Sequence, residues 1–159
     1  MKTRELSYAA LIAAVYAALT VGLAPISFGL IQCRVAEALC VLPFLIGAAV
    51  PGLFAGCLLA NLLTGAPAPD VLFGSLATLV SALLTYGIRK LGCSKLLAPL
   101  PPVLVNAAVV GALLVYVYDV GVGYAAAFLY VFVGQAAACY GLGLPLLALL
   151  EKHAKKWLP

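Results

Sequence analysis

Arg34 and Glu37 stand three residues apart inside an otherwise apolar stretch of this chain. A cation and a carboxylate at that spacing share one helix face. Charges near hydrocarbon are costly, so such a pair marks a functional site by default. Two arrangements satisfy it. In one, the two groups pair with each other and anchor a helix end. In the other, both point into a cavity. Glu37 then accepts hydrogen bonds from a donor-rich or cationic ligand, and Arg34 orients it or meets an acceptor. Asp70 follows Pro69 directly before an apolar run, as a helix N-cap or as a second ligand carboxylate. Asn61 closes another apolar run. Gln135 lies eleven residues beyond Tyr124, roughly 16 Å along a helix, where a buried amide must find partners. Tyr130 belongs to a group with Tyr116, Tyr118 and Tyr124. Interface anchoring is the ordinary role of such rings, and stacking on a planar ligand is the other. Asn106 falls near the opposite end and is left outside this set, and Asp119 reads as a solvated turn.

Composition dictates what positions these groups. The chain has 159 residues, of which 66% are hydrophobic and 9% charged. A water-soluble domain of this length cannot hide so much apolar surface. The expectation is an all-α integral membrane protein, one transmembrane domain over residues 1–159, because helices satisfy their own backbone groups in lipid. Eight of the nine Lys and Arg fall at three places: Lys2 and Arg4, then Arg89, Lys90 and Lys95, then Lys152, Lys155 and Lys156. With six crossings these places share one side. By the positive-inside rule that side is cytoplasmic, which puts both termini inside and Arg34 alone outside. The predicted helices run about Leu6–Leu23, Arg34–Ala49, Leu53–Thr64, Val71–Ile88, Val103–Tyr118 and Tyr124–Leu150. The second and third are shorter than the roughly 20 apolar residues a span needs. Read as one re-entrant hairpin, they leave the sidedness unchanged. The first run resembles a signal peptide but is long for one, and it reads as an uncleaved helix. The net charge of +4 sits in the cytoplasmic segments. It reports topology, with the lipid bilayer as partner and no nucleic acid.

Gln32, Arg34, Glu37, Asn61, Asp70 and Asp119 all fall in the outer half, while the inner half is largely Ala, Leu, Val and Gly. This predicts a pocket open to the outside, since a pore needs polar groups along its full depth. No catalytic residues are expected: there is no His-Glu-x-x-His and no Gly-x-Gly-Asp. The single histidine, His153, lies in the basic tail, which argues against a metal site. The five cysteines form no Cys-x-x-Cys pair and read as small hydrophobes. Helix one carries two rows at four-residue spacing, Ala9, Ala13 and Ala17 beside Ala10, Ala14 and Ala18. Small residues admit a close backbone, either within the chain or on a separate membrane protein. Gly52, Gly56 and Ala60 form a similar row, read as internal packing.

The stretch from Leu23 to Leu39, with Pro25, Gly29, Gln32, Arg34 and Glu37, resembles the signature of the QueT family. Its members are substrate-binding (S) components of energy-coupling factor (ECF) transporters for queuosine precursors. The resemblance extends to length, six helices, the alanine rows and the outer loop carrying Asp70. It implies a multi-pass S-component bundle in a prokaryotic cytoplasmic membrane, with no cofactor. The implied ligand is a 7-deazaguanine: 7-aminomethyl-7-deazaguanine, its cyano relative or queuine. A guanine-like edge offers a ring N–H beside an amino group, which suits one carboxylate, and an aminomethyl cation suits a second. Glu37 is then the first ligand-facing carboxylate and Asp70 the second, with Arg34, Asn61, Gln135 and Tyr130 completing the site. The implied partners are a transmembrane coupling subunit, docked on the alanine rows of helix one, and two ATPase subunits. The chain itself has no Gly-x-x-x-x-Gly-Lys-Ser/Thr loop. The alternatives are an S component for a vitamin or nucleobase, and a passive channel or structural membrane protein.

Overall fold

Prolines start helices in this chain. The computed structural model describes residues 3–27 and 34–154. Lys2, Gly29, Gln32, Cys33, Lys155 and Lys156 of the sequence reading lie outside the described residues. Helix α1 spans Thr3–Gly22 and α2 is a single turn, Ala24–Ser27. A 3₁₀ helix, Val35–Phe44, comes next, followed by α3 (Ala49–Leu63), α4 (Ala68–Lys90) and α5 (Leu100–Tyr116). Helix α6 (Tyr124–Ala136) runs through a π-helical segment (Ala137–Gly143) into α7 (Leu144–Ala154). Pro51, Pro69, Pro101 and Pro102 all sit in first turns, where the missing N–H has no intrahelical partner. Helices α3, α4 and α5 therefore begin three to four residues earlier than the expectation, which treated these prolines as breaks. The tight turn expected at Val50–Gly52 falls at residues 45–48. Asp70 moves from a cap position to the inside of the first turn of α4, and Pro67 takes the cap.

All regular structure among the described residues is helical. Among the described residues four stretches are long and apolar enough to cross a membrane: Thr3–Gly22, Ala68–Lys90, Lys95–Tyr116 and Tyr124–His153. The 3₁₀ helix and α3 fall short, so only four of the six expected crossings have that length. The 3₁₀ helix is enclosed by the others: seven of its ten residues are buried, and it packs on α1, α3, α4, α7 and the π segment. At ~2.0 Å per residue it is only ~20 Å long. Large apolar side chains such as Leu72, Leu76, Leu83, Leu129 and Val133 point outward, as a lipid-facing surface requires.

Small residues bring α1 and α3 together. Ala9, Ala13 and Ala17 are buried. A Cβ added at Gly52 would lie 2.7 Å from the Ala9 carbonyl oxygen, and one at Gly56 would lie 2.9 Å from that of Ala13. The first alanine row is thus consumed by internal packing, which corrects its expected place on a docking face. Ala10, Ala14 and Ala18 remain exposed.

One end of the bundle is tied by polar contacts. Arg89 donates to the Leu45 carbonyl, Thr85 donates to the Ala98 carbonyl at 3.1 Å, and Lys95 pairs with Glu151 at 2.8 Å. A hollow of about 460 Å³ at this end is lined by Glu5, Ile46, Pro51 and Tyr86. The start of α1, the 45–48 turn, the 89–99 segment and the end of α7 therefore lie together, with Arg4, Arg89, Lys90, Lys95 and Lys152 among them.

Gly56→Ala tests the α1–α3 contact. Its Cβ would fall 2.8 Å from that of Tyr16, and overpacking of this kind costs about 1–3 kcal/mol. The detergent-purified variant is expected to melt several degrees below the parent, while Gly22→Ala, whose Cβ meets nothing within 4 Å, does not shift. Equal melting of the two variants would refute the backbone contact.

Candidate functional site

A 3₁₀ helix turns once in three residues, so side chains three apart eclipse. That period puts Glu37, Cys40 and Pro43 in line, with Arg34 just before the first turn. Glu37 is 1% exposed and Arg34 4%. Three donors from three elements reach the Glu37 carboxylate. The Tyr16 hydroxyl donates to Oε1 at 2.5 Å. The Cys40 thiol donates to Oε2 at 2.9 Å, and Asn106 Nδ2 donates to the same oxygen at 3.1 Å. Asn106 Nδ2 also donates to Gln135 Oε1 at 3.2 Å, and the Cys139 thiol reaches the Glu37 carbonyl at 3.4 Å. The Glu37 carboxylate so links α1, the 3₁₀ helix and α5 and reaches α6 through Asn106, while the Glu37 backbone carbonyl meets the π segment at Cys139.

This arrangement links Glu37 to Gln135 through Asn106, with Arg34 in electrostatic reach of Glu37, and it adds four residues that the sequence reading left outside the site. Asn106 was placed too close to the inner end, but α5 starts at Leu100, so Asn106 lies nearly two turns in. Tyr16 sits among the alanines of α1 and is fully buried. Its signal was a hydroxyl-bearing ring flanking the Ala9, Ala13 and Ala17 row on α1. Cys40 and Cys139, read as apolar filler, are donors to Glu37.

Asn61 and Asp70 form a second group beside the first. Asp70 is 1% exposed and Asn61 is fully buried. Tyr118 donates to Asp70 Oδ2 at 2.5 Å, and Asn61 Nδ2 donates to the Asp70 backbone carbonyl at 3.4 Å. Arg34 is within electrostatic reach of both Glu37 and Asp70, so the two groups share one cation. Burial, and then the bond to Asp70, hold the Tyr118 phenol above its ordinary pKa. It therefore remains a protonated donor at neutral pH. Below Asp70 a column of hydroxyls, Ser75, Thr78, Ser81 and Thr85, is fully buried along α4. The first three bond to carbonyls four residues back, which leaves few polar groups free and accounts for their being read as an apolar inner half.

Tyr130 does not join either group. It is 42% exposed on α6, turned away from Gln135, because five positions along a helix leave a net rotation of about 140°. It is corrected to a surface ring, like Tyr116. Asp119 is exposed in a left-handed turn conformation at φ 48°, as the solvated-turn reading expected.

The arrangement is a set of carboxylate, amide, guanidinium and phenol groups held in an apolar bundle. It is equipped for hydrogen-bonded recognition. No group of three His, Cys, Asp or Glu among the described residues could hold a metal ion. Compared with known proteins, the chain matches a family model described as QueT transporter over residues 6–152. The chain belongs to the QueT transporter family. The match includes every residue of both polar groups, from Tyr16 to Cys139. Family and apolar helices together make it a multi-pass membrane transport protein. Neither curated proteins nor solved structures give a match.

Asn106→Leu removes the donor shared by Glu37 and Gln135. An acceptor stranded in a dry core costs about 1–3 kcal/mol, and more when charged. The variant is expected to melt well below the parent in detergent. Tyr16→Phe and Glu37→Gln combined are expected to cost less than the sum of the singles in a double-mutant cycle. Strict additivity would dissolve the hub.

Proposed function

We propose that this chain is the substrate-binding subunit of an ECF importer, and that it takes a 7-deazaguanine queuosine precursor from the outside. The observation that carries this reading is the buried polar cluster in a QueT-family membrane protein: Arg34, Glu37, Asn61, Asp70, Asn106 and Gln135 are each no more than 4% exposed. A bundle that had only to hold itself together would gain from apolar residues at these positions. A guanine-like base offers adjacent donors and an acceptor on one planar edge, and it needs matched acceptors and donors inside a water-poor cavity. In this proposal Glu37 acts as the hub that orients Tyr16, Asn106 and Gln135, while Arg34, Asn61, Asp70 and Gln135 face the ligand.

The end that gathers Arg4, Arg89, Lys90, Lys95 and Lys152 is the cytoplasmic one under the positive-inside rule. Both termini are then inside, with the short 3₁₀ helix and α3 completing six passes. Energy comes from a transmembrane coupling subunit and two ATPase subunits. Their docking face is the exposed row Ala10, Ala14 and Ala18, since its neighbour row is packed on α3.

The ligand assignment is tested by mass spectrometry of small molecules retained by the purified chain, followed by titration with 7-deazaguanines. Retention of a vitamin, with no deazaguanine binding, overturns it. The docking assignment separates the two alanine rows. Ala14→Trp is expected to abolish co-purification with the coupling subunit and to leave ligand affinity within about threefold, less than 1 kcal/mol. Ala13→Trp is expected instead to destabilise the isolated chain, since Ala13 is buried with its backbone against Gly56. Normal assembly in Ala14→Trp refutes the docking face.

A further inference from the structure

We propose that Asp70 Oδ1 and Asn61 Oδ1 together form a subsite for a positively charged, multiply N–H-donating group of the ligand. The proposal deepens the substrate reading above and rests on it. Both oxygens are buried, and neither has a hydrogen-bond partner among the described residues. Buried acceptors without donors are rare in native structures and call for an explanation. The other polar atoms of the same two side chains are engaged, which fixes the orientation of the free ones. Asp70 Oδ2 is held by Tyr118. Asn61 Nδ2 faces two acceptors, the Asp70 carbonyl and the Cys57 sulfur, so its amide is set with the oxygen turned elsewhere. A Cβ at Gly74 would lie 2.8 Å from Asp70 Oδ1 and 3.4 Å from Asn61 Nδ2. Asp70 Oδ1 thus stands against Gly74 with no side chain between them, beside the amide of Asn61.

Charge indicates which donor is missing. The buried formal charges of the two polar groups are Arg34, Glu37 and Asp70, one positive and two negative. Glu37 already receives three donors from its own chain, whereas Asp70 receives one. A neutral donor would satisfy the oxygens but not the charge. An ammonium brings three N–H donors and the compensating charge in a single small group. Such charge-assisted bonds are the strong ones. Among the compounds of the substrate reading, only one with an aminomethyl arm carries that group. A nitrile in its place presents an acceptor to two acceptors.

The test is isothermal titration of the full chain in detergent with 7-aminomethyl-7-deazaguanine and with 7-cyano-7-deazaguanine. The parent is expected to bind the aminomethyl compound about 10- to 100-fold more tightly, the range for one charged hydrogen bond. Asp70→Asn is expected to erase that preference by weakening the aminomethyl compound more than the cyano compound. Tyr118→Phe, which keeps the Asp70 charge, is expected to retain the preference. Equal affinities in the parent overturn the proposal without any variant, and so does an equal loss for both compounds in Asp70→Asn. A preference that appears only with sodium, and vanishes in choline chloride, also overturns it, because a metal cation would then be the occupant. If neither compound binds, the substrate reading itself falls and the subsite with it.

Discussion

A carboxylate placed in the middle of an apolar bundle has to be surrounded by donors, and much of this structure is arranged around that necessity at Glu37. Desolvating an ion costs several kcal/mol unless hydrogen bonds replace the lost water. Here the replacements come from α1, the 3₁₀ helix and α5. Each of those elements is apolar enough to slide or rotate against its neighbours with little penalty, since lipid and Leu are equally greasy. The hub removes that freedom. It fixes the rotation of α1 through Tyr16 and of α5 through Asn106, and Asn106 in turn sets Gln135 on α6. Two such helices, α5 and α6, are also joined by the Ala107, Val110, Leu114, Ala127 and Val131 cluster, so orientation is set by polar groups and separation by packing.

The separation between α1 and α3 is set differently, by removal of side chains. With Gly52 and Gly56 facing Ala9 and Ala13, backbone meets backbone. This close contact is what lets Tyr16, on the same face, reach across to Glu37. It also divides the two alanine rows of α1, one buried and one exposed, although they look equivalent as a pattern of letters.

The helical class, the membrane setting and most of the polar residues were legible in the sequence, because a charge or an amide in an apolar run stands out against its background. Arg34, Glu37, Asn61, Asp70 and Gln135 all proved to be buried. Helix starts were misplaced wherever proline stood in a first turn, since a residue that breaks a helix in its interior is harmless at its beginning. Tyr16 was missed because an aromatic ring in a membrane helix is ordinarily an apolar or interfacial group, and only the third dimension puts its hydroxyl beside an acid. Cys40 and Cys139 were missed for the same reason, and Tyr130 was included for the converse one. No pattern in the letters distinguishes a 3₁₀ helix from a short α-helix at Val35–Phe44.

The π-helical segment has a consequence of another kind. A helix advances ~100° per residue, and a π turn accommodates extra residue within its wider ring. The N-terminal half of this long helix packs on α5 through Ala127 and Val131. The C-terminal half packs on the 3₁₀ helix through Leu147, beside Val41 and Ala98. Gly143 touches the 3₁₀ backbone at Ala38. The two halves keep separate partners because the segment between them re-phases the surface. Residue count between Ala137 and Gly143 is therefore a structural parameter in its own right. Substitution there changes the filling of the interface, whereas loss of a single residue would turn one half against the other and uncouple Gln135 from the groove that holds Leu147. Along this stretch, spacing carries information that side-chain identity does not.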